Sequence, residues 1–241
     1  MAFGLKSFGF KGRAGAPENL PENVRQALES WRASPAPALD EPHFHTRYVV
    51  IDVATTGPRA EENELRGISA VGLQTGAIVA ADAFALDLSG ADAEDSAPQG
   101  DLTIETRSGP SLRGAVDSQL MAFLAYAAKA PLVTYHAPFV GGFLQHAYKA
   151  RLAVDFQPQW IDLAWLLPSL FKDKSPTVRP LDDWLEIFAI DSGGRRDTMT
   201  NTLMLARLFQ MLLVRANDQE ILTAGKLIEE SKSASFLRRT H

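Results

Sequence analysis

The chain has 241 residues, 46% of them hydrophobic, and a formal charge of −5. That length suffices to bury a full core for one globular domain with short extensions. The absence of cysteine excludes disulfides, thiolate zinc sites and cysteine nucleophiles, and the mild acidity argues against a surface coated with positive charge for nucleic acid, while leaving room for a local groove. No stretch approaches the roughly 18 uninterrupted apolar residues of a spanning helix. Residues 1–16 lack the compact apolar segment and small-residue cleavage site of a signal peptide, so a cytoplasmic location is expected.

In chain order, residues 1–20 read as a flexible tail, with Phe3, Phe8 and Phe10 set among Lys6, Lys11 and Arg13 without a period. Pro21 then opens a helix whose Val24, Leu28 and Trp31 recur at helical spacing, ending at Ser34-Pro35-Ala36-Pro37. Residues 21–45 are thus an N-terminal helix and linker. His43 and His45 could share a metal at i, i+2, but no third ligand is near them in sequence.

Tyr48-Val49-Val50-Ile51 climbs to Asp52, and Thr55-Thr56-Gly57-Pro58 follows. A short β-branched run bounded by Gly-Pro predicts a buried central strand. A carboxylate near the end of such a strand is costly to bury unless something pairs with it. Glu61, Glu62 and Glu64 mark an exposed loop, and residues 67–73 and 77–86 predict two strands joined by Gln74-Thr75-Gly76, a hairpin. An acidic loop over 89–100 leads to a helix over 111–129 with Val116, Leu120, Phe123 and Leu124 on one face. Residues 131–135 predict a further strand, which runs into His136-Ala137-Pro138-Phe139 and a helix carrying Phe143 and Leu144. Helices are predicted over 160–171, 181–188 and 198–215. One more starts near Asn217, with Glu220 as a capping-box residue, and the tail from 231 is polar. The order βββ-α-β-α predicts an α/β layered domain, with no internal repeat. Trp160, Trp165 and Trp184, among Leu163, Leu166 and Leu185, read as core rather than as base-stacking surfaces.

With the elements in order, residues 47–215 resemble the proofreading-type (DnaQ-like, DEDDh) 3′–5′ exonucleases. The family's first motif, Asp-x-Glu-Thr-Thr-Gly, falls on Asp52-Val53-Ala54-Thr55-Thr56-Gly57. The second, a histidine segment before a helix, falls on His136-Ala137-Pro138-Phe139-Val140. Trp160-Ile161-Asp162-Leu163-Ala164 is similar to the family's Ile-Asp-Thr helix start, and residues 177–190 to its Ser-Leu-Asp-x-Leu segment. The third motif, His-x-Ala-Leu-x-Asp-Ala, falls on Arg196-Asp197-Thr198-Met199-Thr200-Asn201-Thr202. The resemblance implies a ribonuclease H-like α/β fold: a mixed sheet of about five strands with helices on both faces, spanning 46–216. Extra helices lie outside it, and 217–241 form a C-terminal helix and tail.

Family members hydrolyse a phosphodiester with two metal ions held by carboxylates, and a histidine serves as general base. Carried over residue by residue, Asp52 is the retained motif acid. Ala54, Val140, Arg196 and Asn201 replace the glutamate, the second aspartate, the histidine and the last aspartate. Loss of a general base alone costs about 10²–10⁴ in rate, and loss of three carboxylates removes the metals. The resemblance therefore implies a catalytically degenerate member with no cofactor expected, Mg or Mn entering only with residual activity. Asp52 is expected to pair with Arg196 or Arg195, or else to take backbone amides of Thr55 or Thr56. Arg195 and Arg196 are candidate phosphate contacts, with Thr55, Thr56, His136 and Phe139 lining the cleft. The implied function is a nucleic-acid-binding module for single strands or nucleotides. The alternatives are a protein-interaction scaffold and a residual divalent-metal exonuclease with a rebuilt site.

Overall fold

The computed structural model describes residues 20, 22–88, 116–191, 193–194 and 197–239. Residues 1–19 of the predicted N-terminal tail, the acidic 89–100 loop, the start of the 111–129 helix, and Arg195 and Arg196 lie outside these residues. The elements in order are α1 (Glu22–Ala33), β1 (Tyr48–Thr55), β2 (Leu65–Gln74), β3 (Ala77–Asp87), α2 (Val116–Ala127), β4 (Leu132–Thr134), α3 (Ala137–Leu152), β5 (Trp160–Asp162), α4 (Leu163–Leu170), α5 (Leu181–Ile187), α6 (Thr198–Asp218) and α7 (Ala224–Arg239). The five strands form one sheet in the order β3-β2-β1-β4-β5. β2 is antiparallel to β1 and β3, whereas β4 runs parallel to both β1 and β5. That order, with one reversed strand, is a ribonuclease H-like α/β arrangement.

β1 is central because it is apolar on both faces. Alternate side chains of a strand point to opposite sides, and here Tyr48 and Val50 enter one core while Val49, Ile51 and Val53 enter the other. The first core is closed by α4 to α7, including Trp184, Leu205, Phe209 and Leu227. The second is closed by α1, α2 and α3 through Leu28, Phe123, Val140, Leu144 and Tyr148. Each fully buried side chain of this size stabilises the fold by about 1.5–3 kcal/mol. The β2–β3 hairpin turns at Thr75 (φ 52°) and Gly76 (φ 75°), and two positive φ values in succession define the tight turn matched to strand twist.

Three boundaries differ from the sequence expectation, one being the tail expected from 231, which continues α7 as helix to Arg239. Residues 160–162 are strand rather than helix, because Trp160, Ile161 and Asp162 pair with Leu132, Val133 and Thr134. No helix starts at Asn217, since α6 continues through Asp218 and Glu220 sits in the turn at φ 61°. α7 begins only after Thr223, whose hydroxyl accepts the Lys226 amide at 3.3 Å.

The linker is tied to the α6–α7 turn. The His43 amide donates to the Leu222 carbonyl at 3.2 Å and the Gly225 amide to Leu39 at 2.8 Å. The His43 ring lies 2.6 Å from the Tyr48 hydroxyl through Nδ1 and 2.8 Å from the Ile221 carbonyl through Nε2. Burial lowers its pKa, with the Ile221 contact opposing. The neutral ring therefore donates from Nε2 to the carbonyl and accepts the Tyr48 proton at Nδ1. His43 is thus a tether between chain segments.

Candidate functional site

In open α/β sheets, ligands collect beyond the carboxyl ends of the parallel strands. Here that end brings together the close of β1, the β4–α3 turn and the start of α6. Asp52 points to the same side of the sheet as Tyr48 and Val50, towards α6, and is half-buried. Its register partner on β2 is Ser69. The single Thr202 hydroxyl proton is shared between the Thr198 carbonyl of its own helix at 2.9 Å and the Ser69 carbonyl at 3.3 Å, so α6 lies against β2 opposite Asp52. That packing brings the neighbouring Asn201 into range, and its Nδ2 donates to Asp52 Oδ2 at 3.3 Å. Two carboxyl-type oxygens facing each other would repel, so the amide must present its N–H₂ to the acid.

Burial raises the Asp52 carboxyl above its ordinary value, partly offset by the Val53 amide and by Asn201. The Thr56 amide donates to Glu64 at 3.0 Å and the Thr55 hydroxyl to Gly57 at 2.9 Å. Asp52 takes a side-chain partner from α6, beside the Val53 amide. Arg195 and Arg196 lie outside the described residues. Asp197 caps α6, taking the Thr200 amide at 2.9 Å and its hydroxyl at 2.7 Å.

The other motif positions are apolar in place as well as in name. Val140 is 1% exposed and belongs to the core with Val53 and Leu144. Ala54 lies on β1 two residues after Asp52, on the same face. Among the described residues, no group of three or more His, Asp or Glu side chains could hold a metal ion. A methyl at Ala54 and a buried isopropyl at Val140 supply no oxygen to a divalent ion, and Asn201 turns its N–H₂ to the acid.

The β4–α3 turn is held differently from what the motifs suggest. His136 adopts φ 61°, a left-handed conformation uncommon for a side-chain-bearing residue. Its ring is exposed and edge-on to Tyr135, with centroids 5.0 Å apart. Phe139 is 37% exposed and meets Phe143 edge-on at 5.2 Å. Beneath the turn lies Asp162, 4% exposed. Its Oδ1 accepts the His136 and Ala164 amides at 2.9 and 3.0 Å, and its Oδ2 accepts the Ala137 amide at 2.9 Å. One carboxylate thus serves the starts of two helices, where negative charge is favoured. Burial still raises its pKa, with the three amides and His136 opposing. The sequence signal for this role is an Asp immediately before an apolar helical run, which marks an N-cap, but it does not reveal the reach to α3.

Asp52 offers a direct test of these electrostatics. With its folded-state pKa raised, its stabilising contribution is complete below the unfolded value near 3.8 and is lost as pH rises through the folded value. The ionised form at neutral pH is the costly one. Asp52→Asn is therefore expected to stabilise the chain at pH 7 by on the order of 1 kcal/mol, since the new amide oxygen can still accept from Asn201. The gap should close near pH ~4. Thermal unfolding at the two pH values reads this, and a variant less stable at pH 7 would contradict it.

No protein-family model matches the chain, and no curated protein matches it. Among solved structures it is similar to "Brucella melitensis NrnC bound to pGG", at 15% identity over 85% of each chain with a TM-score of 0.43. It is also similar to "Brucella melitensis NrnC with bound Mg2+", at 15% identity over 85% of this chain and 86% of that one, with a TM-score of 0.41. So remote a likeness decides nothing about the site. On its strand order and directions, the chain is an α/β protein of ribonuclease H-like fold.

Proposed function

We propose that this protein is a catalytically degenerate member of the proofreading-type exonuclease family, which binds single-stranded nucleic acid without cleaving it. The observation that carries this reading is the Asn201-to-Asp52 hydrogen bond. The retained acid is occupied by an amide donor where the family chemistry needs a cation. Burial of Val140 in the core supports the same conclusion. Binding is supported by the exposed His136 and Phe139 at the ligand-collecting end of the sheet, since aromatic faces stack on bases with little sequence preference. Arg195 and Arg196 immediately precede the α6 cap and would contact phosphates, which fix position rather than sequence. The exonuclease-like domain takes in residues 46–216.

Fluorescence anisotropy with a labelled single-stranded DNA or RNA tests the binding. Affinity should fall as salt rises, and Phe139→Ala should weaken it about 5- to 150-fold, the equivalent of one stacked base at about 1–3 kcal/mol. The same oligonucleotide incubated with Mg²⁺ or Mn²⁺ should keep its length. Shortening from the 3′ end that Asp52→Ala abolishes would overturn the reading and establish a rebuilt nuclease site.

A protein-interaction role is the second reading, and one feature favours it. Leu203, Met211 and Val214 are exposed along α6, Val214 by 66%. At these spacings they share its outer face. Oligonucleotide binding that is absent at low salt would favour this role.

A further inference from the structure

We infer that Ser231 of α7 positions the mouth of the cleft, acting through Asp162. The tail from residue 231 is polar in sequence, yet Ser231 is only 4% exposed. It faces inward because Leu227, Ile228, Ser231 and Ala234 fall at i, i+1, i+4 and i+7 and are all buried. Its hydroxyl oxygen accepts the backbone N–H of Asp162 at 3.0 Å. This contact closes a continuous chain of hydrogen bonds. α7 holds the end of β5 through Asp162 N, and the Asp162 carboxylate holds the His136 and Ala137 amides. The residue so held, His136, is in a left-handed conformation that a side-chain-bearing residue leaves unless its surroundings hold it there. Both ring-bearing residues at the mouth follow from that turn, His136 at its apex and Phe139 in the first turn of α3.

A second contact between the same helices provides an internal comparison. The Ser169 hydroxyl of α4 donates to Glu230 Oε1 at 2.8 Å. It fastens α7 to α4 one residue before Ser231, but among the described residues no hydrogen bond leads from it to Asp162. If Ser231 served only to dock α7, loss of either contact would have the same effect. Ser231 and Asp162 are instead positioning residues: they set where His136 and Phe139 stand and touch no ligand themselves. The effect on a ligand rests on the nucleic-acid reading above; the effect on the turn does not.

The experiment is amide hydrogen exchange by NMR on the full chain, comparing Ser231→Ala with Ser169→Ala. In Ser231→Ala, the His136 and Ala137 amides should exchange about tenfold faster, while the β1 amides of Val50 and Ile51 keep their protection relative to global stability. Ser169→Ala should leave the His136 and Ala137 amides at parental rates. Ser231→Thr, which restores the hydroxyl, should return the turn towards the parental rates. Equal effects of the two alanine variants, a uniform acceleration that includes β1, or no change at residues 136 and 137 would each overturn the inference. In parallel, Ser231→Ala should weaken single-stranded DNA binding severalfold by anisotropy. If the parent chain binds no oligonucleotide, the functional reading fails and the exchange comparison still decides the coupling.

Discussion

Asp162→Ala is expected to destabilise the protein by about 3–5 kcal/mol, a fall in Tm of roughly 6–20 °C for a chain of this size. The side chain accepts three backbone amides, from His136, Ala137 and Ala164. Bonds to a charged acceptor are each worth about 1.5–3 kcal/mol. They are not additive, and water reaches part of a turn that includes the exposed His136, so the sum is not reached. Asp162→Asn should recover part of the loss. Its remaining oxygen can serve the His136 and Ala164 amides, but its N–H₂ would face the Ala137 N–H. Urea unfolding followed by circular dichroism measures both variants, with a lowered midpoint and an unchanged slope as the expected form. A loss under about 1 kcal/mol for the alanine variant would mean that the turn keeps its shape without the carboxylate.

The second large effect is expected at Val140, which the motif resemblance aligns with a carboxylate. Val140→Asp should destabilise by about 3–5 kcal/mol, the range for an uncompensated charge in an interior. Val140 is 1% exposed and packs with Val53 and Leu144. Val140→Thr, close in shape but with a hydroxyl, should cost less. Millimolar Mg²⁺ should not restore the Tm of the aspartate variant. A bound ion stabilises the folded state by mass action, so recovery with Mg²⁺ would show that this position can still face a metal, and the degenerate reading would fall. Building a carboxylate site here requires repacking a core as well as adding acids.

Much of this molecule was legible in its sequence because strong local signals and tertiary structure agree. The β-branched run before Asp52, the apolar strand pair with its Thr75-Gly76 turn and the long apolar helix from Thr198 all stand where their patterns place them. The misreadings share a cause. Trp160-Ile161-Asp162 is too short for a period to distinguish strand from helix, and its state is decided by pairing with β4. Asn217 and Glu220 form a plausible cap in isolation, yet α6 runs on because Leu212, Leu213 and Ala216 continue its buried face. At the site, motif alignment supplies Asp52 and Asn201 as positions. It does not supply the hydrogen bond between them, which depends on how Thr202 seats α6 against Ser69. Asp162 and Ser231 lie 69 residues apart, and no local pattern joins them.

The His43 tether gives the order of synthesis a structural meaning. The Tyr48 hydroxyl meets His43 within the first strand's approach, but the Ile221 carbonyl that completes the tether, and the Phe209 ring that stands edge-on to Tyr48 at 5.0 Å, come late in the chain. On a ribosome adding about 5–20 residues per second, β1 waits roughly 10–30 s for that cover. During the interval one face of the sheet, with Tyr48, Val50, Val71 and Leu73, is an uncovered apolar surface on the nascent chain.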